Sequence, residues 1–134
     1  MKSISDILLP ADLRYTNEHI WIRQEADSSL FVGITDYAQD QLGEIVFVDL
    51  PEVDSILSTG DEFGTVESLK SVNPLFMPVT GRIIEINSSL ESTPTLVNYD
   101  CYGKGWMLRV CPDNDEDIKN MLKNESYLSI LKCV

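Results

Sequence analysis

Histidine is nearly absent from this sequence and cations are scarce. His19 is the only histidine, and 10 Lys and Arg stand against 22 Asp and Glu, for a formal charge of -12. One histidine leaves little material for a histidine-rich metal centre or a His-activated nucleophile. Three cysteines, Cys101, Cys111 and Cys133, are odd in number and lack metal-ligand spacing, so reduced thiols are expected. A polyanion repels nucleic acid and anionic lipid, which excludes both as partners. No apolar run reaches the roughly eighteen residues a membrane span needs. The opening "MKSISDILLP" has neither a secretory apolar core nor an Arg-rich transit character, and the expected location is cytoplasmic. "PDNDED" lacks the Gly and distal Glu of a calcium loop and reads as a helix start, with Asp113 as cap and Glu116 three residues on. Catalysis by the chain's own side chains is therefore not expected.

What is present is β-structure. Short runs rich in β-branched and aromatic residues recur between turn residues: "HIWIR" (19–23), "LFVGI" (30–34), "EIVFVDL" (44–50), "EFGTVESL" (62–69), "GRIIEI" (81–86) and "WMLRV" (106–110). "EIVFV" is apolar on both faces, as in a strand buried inside a sandwich. "TDYAQDQL" (35–42) predicts a helix capped by Thr35 and stopped at Gly43. "DEDIKNMLK" (115–123) predicts a second, and "SYLSIL" (126–131) a last helical turn. "GEIVFV" at 43–48 and "GRIIEI" at 81–86 repeat one pattern, which suggests two similar β-units covering each other's apolar faces.

One cation stands alone. Between Gln24 and Gly81 there are 11 Asp and Glu and a single basic residue, Lys70, within "VESLKSVNPL". A solvated surface lysine is the commonplace explanation. Yet Lys70 follows a predicted strand and precedes "SVNP", whose Asn and Pro favour a turn. The pattern predicts a primary amine at or near the tip of a connection between that strand and a second one entering through Pro78 and Gly81.

These segments, in this order, carry a resemblance. "YTNEHIW" (15–21), "VGITDYAQDQLGEIVFVDLPEV" (32–53), "GTVESLKS" (64–71), "PVTGRIIEIN" (78–87), "PTLVN" (94–98) and "YGKGWM" (102–107) are similar to the H-protein family of the glycine cleavage system. The resemblance runs from about Leu13 to Lys132. It implies a mainly β fold, a barrel-sandwich hybrid of the lipoyl/biotinyl kind, with two antiparallel sheets, a short internal helix and a C-terminal helix. It implies one lipoyl-carrier domain over 1–134, with a core at 13–110 and a helical segment at 113–132.

The resemblance also implies chemistry. Lys70 would carry lipoate in amide linkage, and Glu67 and Gly81 would help a lipoylating enzyme recognise it. The chain would be a non-catalytic carrier visiting three enzymes. They are the pyridoxal-phosphate glycine decarboxylase (P protein), the folate-dependent aminomethyltransferase (T protein) and dihydrolipoyl dehydrogenase (L protein). A carrier visiting several enzymes is most simply a monomer. One departure stands out: the family usually reads His-Glu-Trp where this chain has His19-Ile20-Trp21. That acidic residue is thought to hold the amino group of the loaded arm in a cleft. Glu18, expected on the same strand face as Ile20, is the candidate substitute, so Glu18 and Ile20 are the candidate cleft residues. Loss of the acid keeps a second reading open, an H-like relay that supplies lipoate to other complexes. A biotin carrier fits less well, because Leu69 and Ser71 flank Lys70 where methionines are the rule.

Overall fold

A computed structural model describes residues 2–133. Its elements, in order, are β1 (Arg14–Tyr15), β2 (Ile20–Gln24), β3 (Leu30–Ile34), α1 (Asp36–Leu42), β4 (Ile45–Asp49), β5 (Ile56–Leu57), β6 (Glu62–Ser68), β7 (Val72–Phe76), β8 (Gly81–Ile86), α2 (Ser89–Ser92), α3 (Leu96–Tyr99), β9 (Leu108–Pro112), α4 (Glu116–Lys119) and α5 (Asn124–Lys132). They make a mainly β fold of two antiparallel sheets. The larger runs β1-β2-β3-β9-β8-β5 and the smaller β4-β6-β7.

Strand alternation explains how the layers meet. On β2, Ile20 and Ile22 turn inward to a core with Val32, Ile45, Val66, Ile83 and Val110. Trp21 turns the other way, into a second cluster with Tyr15, Leu13, Tyr127 and Leu131 that fastens the chain's two ends to the larger sheet. Opposite Trp21 stands Gly33, where a Cβ would lie 2.8 Å from the indole, so only glycine leaves room for the ring. The indole Nε1 donates to the Cys101 carbonyl at 3.0 Å.

The two repeated units share a distortion. The β4 register passes from Ile45↔Ser68 to Phe47↔Glu67, leaving Val46 as an extra residue. On β8 it passes from Ile83↔Val110 to Glu85↔Arg109, leaving Ile84 extra. Ile45 and Ile83, and Phe47 and Glu85, are equivalent in the repeat, so each unit bulges at the same step. Ile45 and Ile83 both lie in the shared core, as the repeat predicts.

Several expectations need correction. β4 is not buried on both faces: it is an edge strand, and its bulge leaves Val46 and Phe47 exposed. The Asn and Pro of "SVNP" do not make a turn: Val72, Asn73 and Pro74 belong to β7, which is also an edge strand and tolerates Pro74 without a ladder donor. The helix predicted over 115–123 stops at Lys119, since Leu122 is drawn into a bridge with Tyr15 through two hydrogen bonds of 2.8 and 2.9 Å. Helix then resumes as α5, longer than the single turn predicted there. Asp113 does not cap α4; the Asn114 Oδ1 accepts the Glu116 amide at 2.9 Å instead. α2, α3 and β5 are too short for periodicity to reveal, and β9 begins two residues later than "WMLRV" suggests.

Leu131, 2% exposed, and Tyr127, stacked on Tyr15, are the contacts by which α5 holds the second cluster. Leu131→Ala is expected to cost about 2–5 kcal/mol and to open α5 before the sheets. Hydrogen exchange should show α5 amides losing protection while those of β3 keep it; equal loss in both would refute a separable α5.

Candidate functional site

β6 and β7 converge on the turn that carries Lys70. The last ladder pair is Glu67↔Val72, and the Ser68 amide donates to the Ser71 carbonyl at 2.8 Å. Ser68, itself buried, fixes the tip: its Oγ accepts the amides of both Lys70 and Ser71 at 3.2 Å. Two residues whose backbone donors would otherwise go unpaired are thus pinned by one hydroxyl. Leu69 and Lys70 are left facing solvent.

Lys70 has a backbone partner. Lys2, Arg23, Arg82 and Arg109 each lie within 4 Å of a carboxylate. Lys70, like Arg14, Lys104, Lys119, Lys123 and Lys132, has no such ion pair among the described residues. Its Nζ donates to the Gln41 carbonyl at 3.3 Å, at the C-terminal end of α1. That end carries the negative pole of the helix, where a cation is favoured. α1 ends there as predicted, with Gly43 at φ 76°. A Cβ on Gly43 would lie 3.4 Å from the lysine Cε, so the side chain rests over this glycine.

A groove of about 450 Å³ begins at the same place. Gln41 lines it, with Tyr37, Leu42 and Phe76 supplying apolar wall and Glu18 and His19 part of the rim. Glu18 is its one carboxylate. The rim is built by a turn in which the Thr16 hydroxyl accepts the amides of Glu18 and Ile20, at 3.2 and 3.3 Å, and His19 adopts φ 68°. His19 Nδ1 and the Tyr127 hydroxyl share a hydrogen bond of 2.6 Å, and that hydroxyl meets Thr35 Oγ1 at 2.8 Å. Thr35 in turn accepts the Ala38 amide and caps α1. Burial lowers the His19 pKa, which favours the neutral ring at this wall.

The structure separates residues that sequence reasoning grouped. Glu18 precedes β2 in a turn, and the left-handed His19 interrupts strand alternation, so Glu18 and Ile20 do not share a face. Ile20 is 1% exposed and packs in the core, outside the groove. Glu67 stands three residues before Lys70, between Phe47 and Val72 across the smaller sheet. Gly81 opens β8 in the other sheet, paired with Leu57 and Pro112. A Cβ there would fall 2.5 Å from the Cys111 carbonyl oxygen and 2.9 Å from Val110 Cγ1. Packing alone therefore demands glycine at 81. Cys101 is buried and its thiol is pushed up to about 12 by burial, while Cys111 and Cys133 are exposed. Gln41, Gly43 and Ser68 escaped sequence reasoning; only Gly43 left a trace, as a helix stop.

Comparison with known proteins places this geometry. A family profile described as glycine cleavage H-protein matches residues 13–133. The chain belongs to the glycine cleavage H-protein family. The glycine cleavage system H protein of Bacteroides fragilis is 49% identical over 122 residues, covering 91% of this chain and 96% of that one. Its counterpart from Oceanobacillus iheyensis is 46% identical over 124 residues, covering 92% and 98%. A crystal structure of the family member from Mycobacterium marinum superposes with a TM-score of 0.84 at 36% identity, covering 92% of this chain and 99% of that one. The family's fold is thus the fold described above. Among the described residues, no group of three or more His, Cys, Asp or Glu could hold a metal, and no helix is long and apolar enough to cross a membrane.

Gly81→Ala tests the packing role. The crowded Cβ is expected to lower stability by about 1–3 kcal/mol in a denaturant titration. An unchanged midpoint would return Gly81 to a direct recognition role.

Proposed function

We propose that this chain is the lipoyl-bearing carrier of a glycine cleavage system. It would take the aminomethyl group of glycine from the pyridoxal-phosphate decarboxylase to the folate-dependent aminomethyltransferase, and dihydrolipoyl dehydrogenase would reoxidise it. The observation that carries this reading is Lys70: an exposed amine on a pinned hairpin, free of carboxylate partners among the described residues, beside an apolar groove.

The residues present fit an amide-linked lipoyl group. Acylation needs a reachable Nζ, and Lys70 gives up only one hydrogen bond to a backbone carbonyl. Because Gln41 holds the lysine and also lines the groove, an arm built on Nζ starts at the groove's edge. About 450 Å³ with Tyr37, Leu42 and Phe76 on its walls suits a small, mostly apolar ligand. When bound, lipoate supplies a disulfide that is reduced as it takes up the aminomethyl group, and later a dithiol for reoxidation. The protein contributes placement: Ser68 orients the turn, the apolar wall excludes water, and tethering raises effective concentration at each partner. Glu18 is the carboxylate able to accept hydrogen bonds from an ammonium in the groove, the role that Ile20, in place of the family's usual acid, leaves open. The whole chain, 1–134, acts in this reading as one non-catalytic carrier domain.

The relay reading is favoured by one observation, Ile20, which cannot accept a hydrogen bond. A mass spectrum separates the two. Wild type should gain the lipoyl mass on the Lys70 peptide, and Lys70→Arg should stay unmodified under the same enzyme. Incubation with glycine and the decarboxylase should then add the aminomethyl mass; a lipoylated chain that never loads would replace the carrier reading with the relay. Glu18→Gln should shorten the lifetime of the loaded form by roughly two- to fivefold, the range of an exposed charge contact. An unaltered lifetime would remove Glu18 from that role.

A further inference from the structure

An apolar surface surrounds the base of the lysine turn, and the fold does not require it. Phe47, Glu67 and Val72 stand side by side across β4, β6 and β7. Phe47 is 51% exposed, Val72 60% and Leu69, at the tip, 75%; Val46 beside them is 44% exposed. Exposed neighbours of this size cost solvation and invite association, so they need a reason.

The repeat supplies a control within the same molecule. Glu85 occupies the position on β8 that Phe47 occupies on β4, after the same bulge. There the outward side chain is a carboxylate, 3.7 Å from the Arg109 guanidinium. The bulge accommodates a charge on the larger sheet and an aromatic on the smaller. Backbone geometry therefore does not dictate Phe47.

We propose that Phe47, Glu67, Val72 and Leu69 form the docking surface for the enzyme that acylates Lys70. The complementary face is an apolar seat for Phe47 and Val72 with a cation opposite Glu67. The inference rests on Lys70 being the acylated residue. Reach singles out the occupant. Partners of the finished carrier meet a long arm, whereas the acylating enzyme must bring its active site to Nζ itself. It must then cover the turn and the last ladder pair, which are Leu69, Glu67 and Val72, with Phe47 next in the row. Charge points the same way: in a chain of net charge -12, Glu67 is the one carboxylate within this apolar row. In the step itself the deprotonated Nζ attacks the carbonyl carbon of a lipoyl adenylate. The C–N bond forms, the acyl C–O bond breaks, AMP leaves with the electron pair, and a nitrogen proton passes to solvent.

The test uses the full chain with a purified lipoate ligase, lipoate and Mg-ATP, following mass gain on Lys70 against carrier concentration. Phe47→Glu, which copies the residue at position 85, and the milder Phe47→Thr are each expected to raise the KM for carrier, the former about tenfold, with kcat within about twofold. Both should also compete less well for ligase against labelled wild type. Ile56→Glu, at a more exposed apolar site on the larger sheet (74%), should leave both readouts at wild-type values. Wild-type KM in both Phe47 variants overturns the proposal, as does an equal loss in Ile56→Glu, which would indicate bulk charge. If wild type dimerises, Phe47→Glu is monomeric and acylation is normal, the face belongs to a second copy and the proposal fails. No mass gain in wild type defeats the acylation reading itself.

Discussion

The hydroxyl of Ser68 accepts two backbone amides at the point where β6 turns into β7, and the presentation of Lys70 depends on it. Without that acceptor the Lys70 and Ser71 amides would turn to water and the tip would lose its fixed shape. Ser68 can serve because it is buried, and it is buried because β6 is the centre of the smaller sheet and packs Val66 and Phe63 into the core. A fixed lysine base thus descends from a central strand. The side chain itself remains free to leave, since its contact with the Gln41 carbonyl is a single hydrogen bond at the surface.

The core that supports this turn is made twice by one device. Ile45 and Ile83 enter the interior just before equivalent bulges, and each bulge twists its strand so that the following residues face out. What differs is the outward chemistry. On the larger sheet the outward Glu85 and Arg109 pair, as on an ordinary solvated surface. On the smaller sheet the outward residues are Val46 and Phe47, beside the lysine. A duplicated architecture has therefore been given two surfaces, and the unusual one is next to the reactive amine.

Much of this was legible before the structure. Thr35 and Gly43 bounded α1 correctly, because a side-chain cap and a left-handed glycine are local features. The strands 30–34 and 81–86 were read to the residue from composition and bounding turns. Lys70 stood out by charge alone. The failures have a common cause in tertiary context. Pro74 argues against a strand unless the strand is known to be an edge, and "EIVFV" argues for burial unless a bulge at an edge is known to intervene. Leu122 suits a helix until Tyr15 is seen to pair with it. Glu18 seemed to share a face with Ile20, and only the left-handed His19 shows otherwise. The contact between Lys70 and Gln41, 29 residues apart, leaves no pattern in the sequence.

Charge placement gives the isolation of Lys70 its physical sense. Acylation, as proposed, would remove the ammonium permanently, and a lysine in an ion pair would leave its carboxylate unmatched in an already acidic chain. Breaking a buried pair is expensive because the surviving charge loses its compensation. Asp36 illustrates the hazard: burial works against its ionised form, and the Leu8 amide and the Lys2 ammonium are what hold it below the ordinary carboxylate range. A modifiable lysine in the place of Lys2 would destabilise α1 once it was acylated. Lys70 instead faces a helix end whose carbonyl dipoles can turn to water when the ammonium is gone. Its neutralisation would move the formal charge from -12 to -13 without stranding a buried group. A cation that is to become an amide, as proposed for Lys70, is best paired with nothing that needs its charge, and the carbonyl of Gln41 is such a partner.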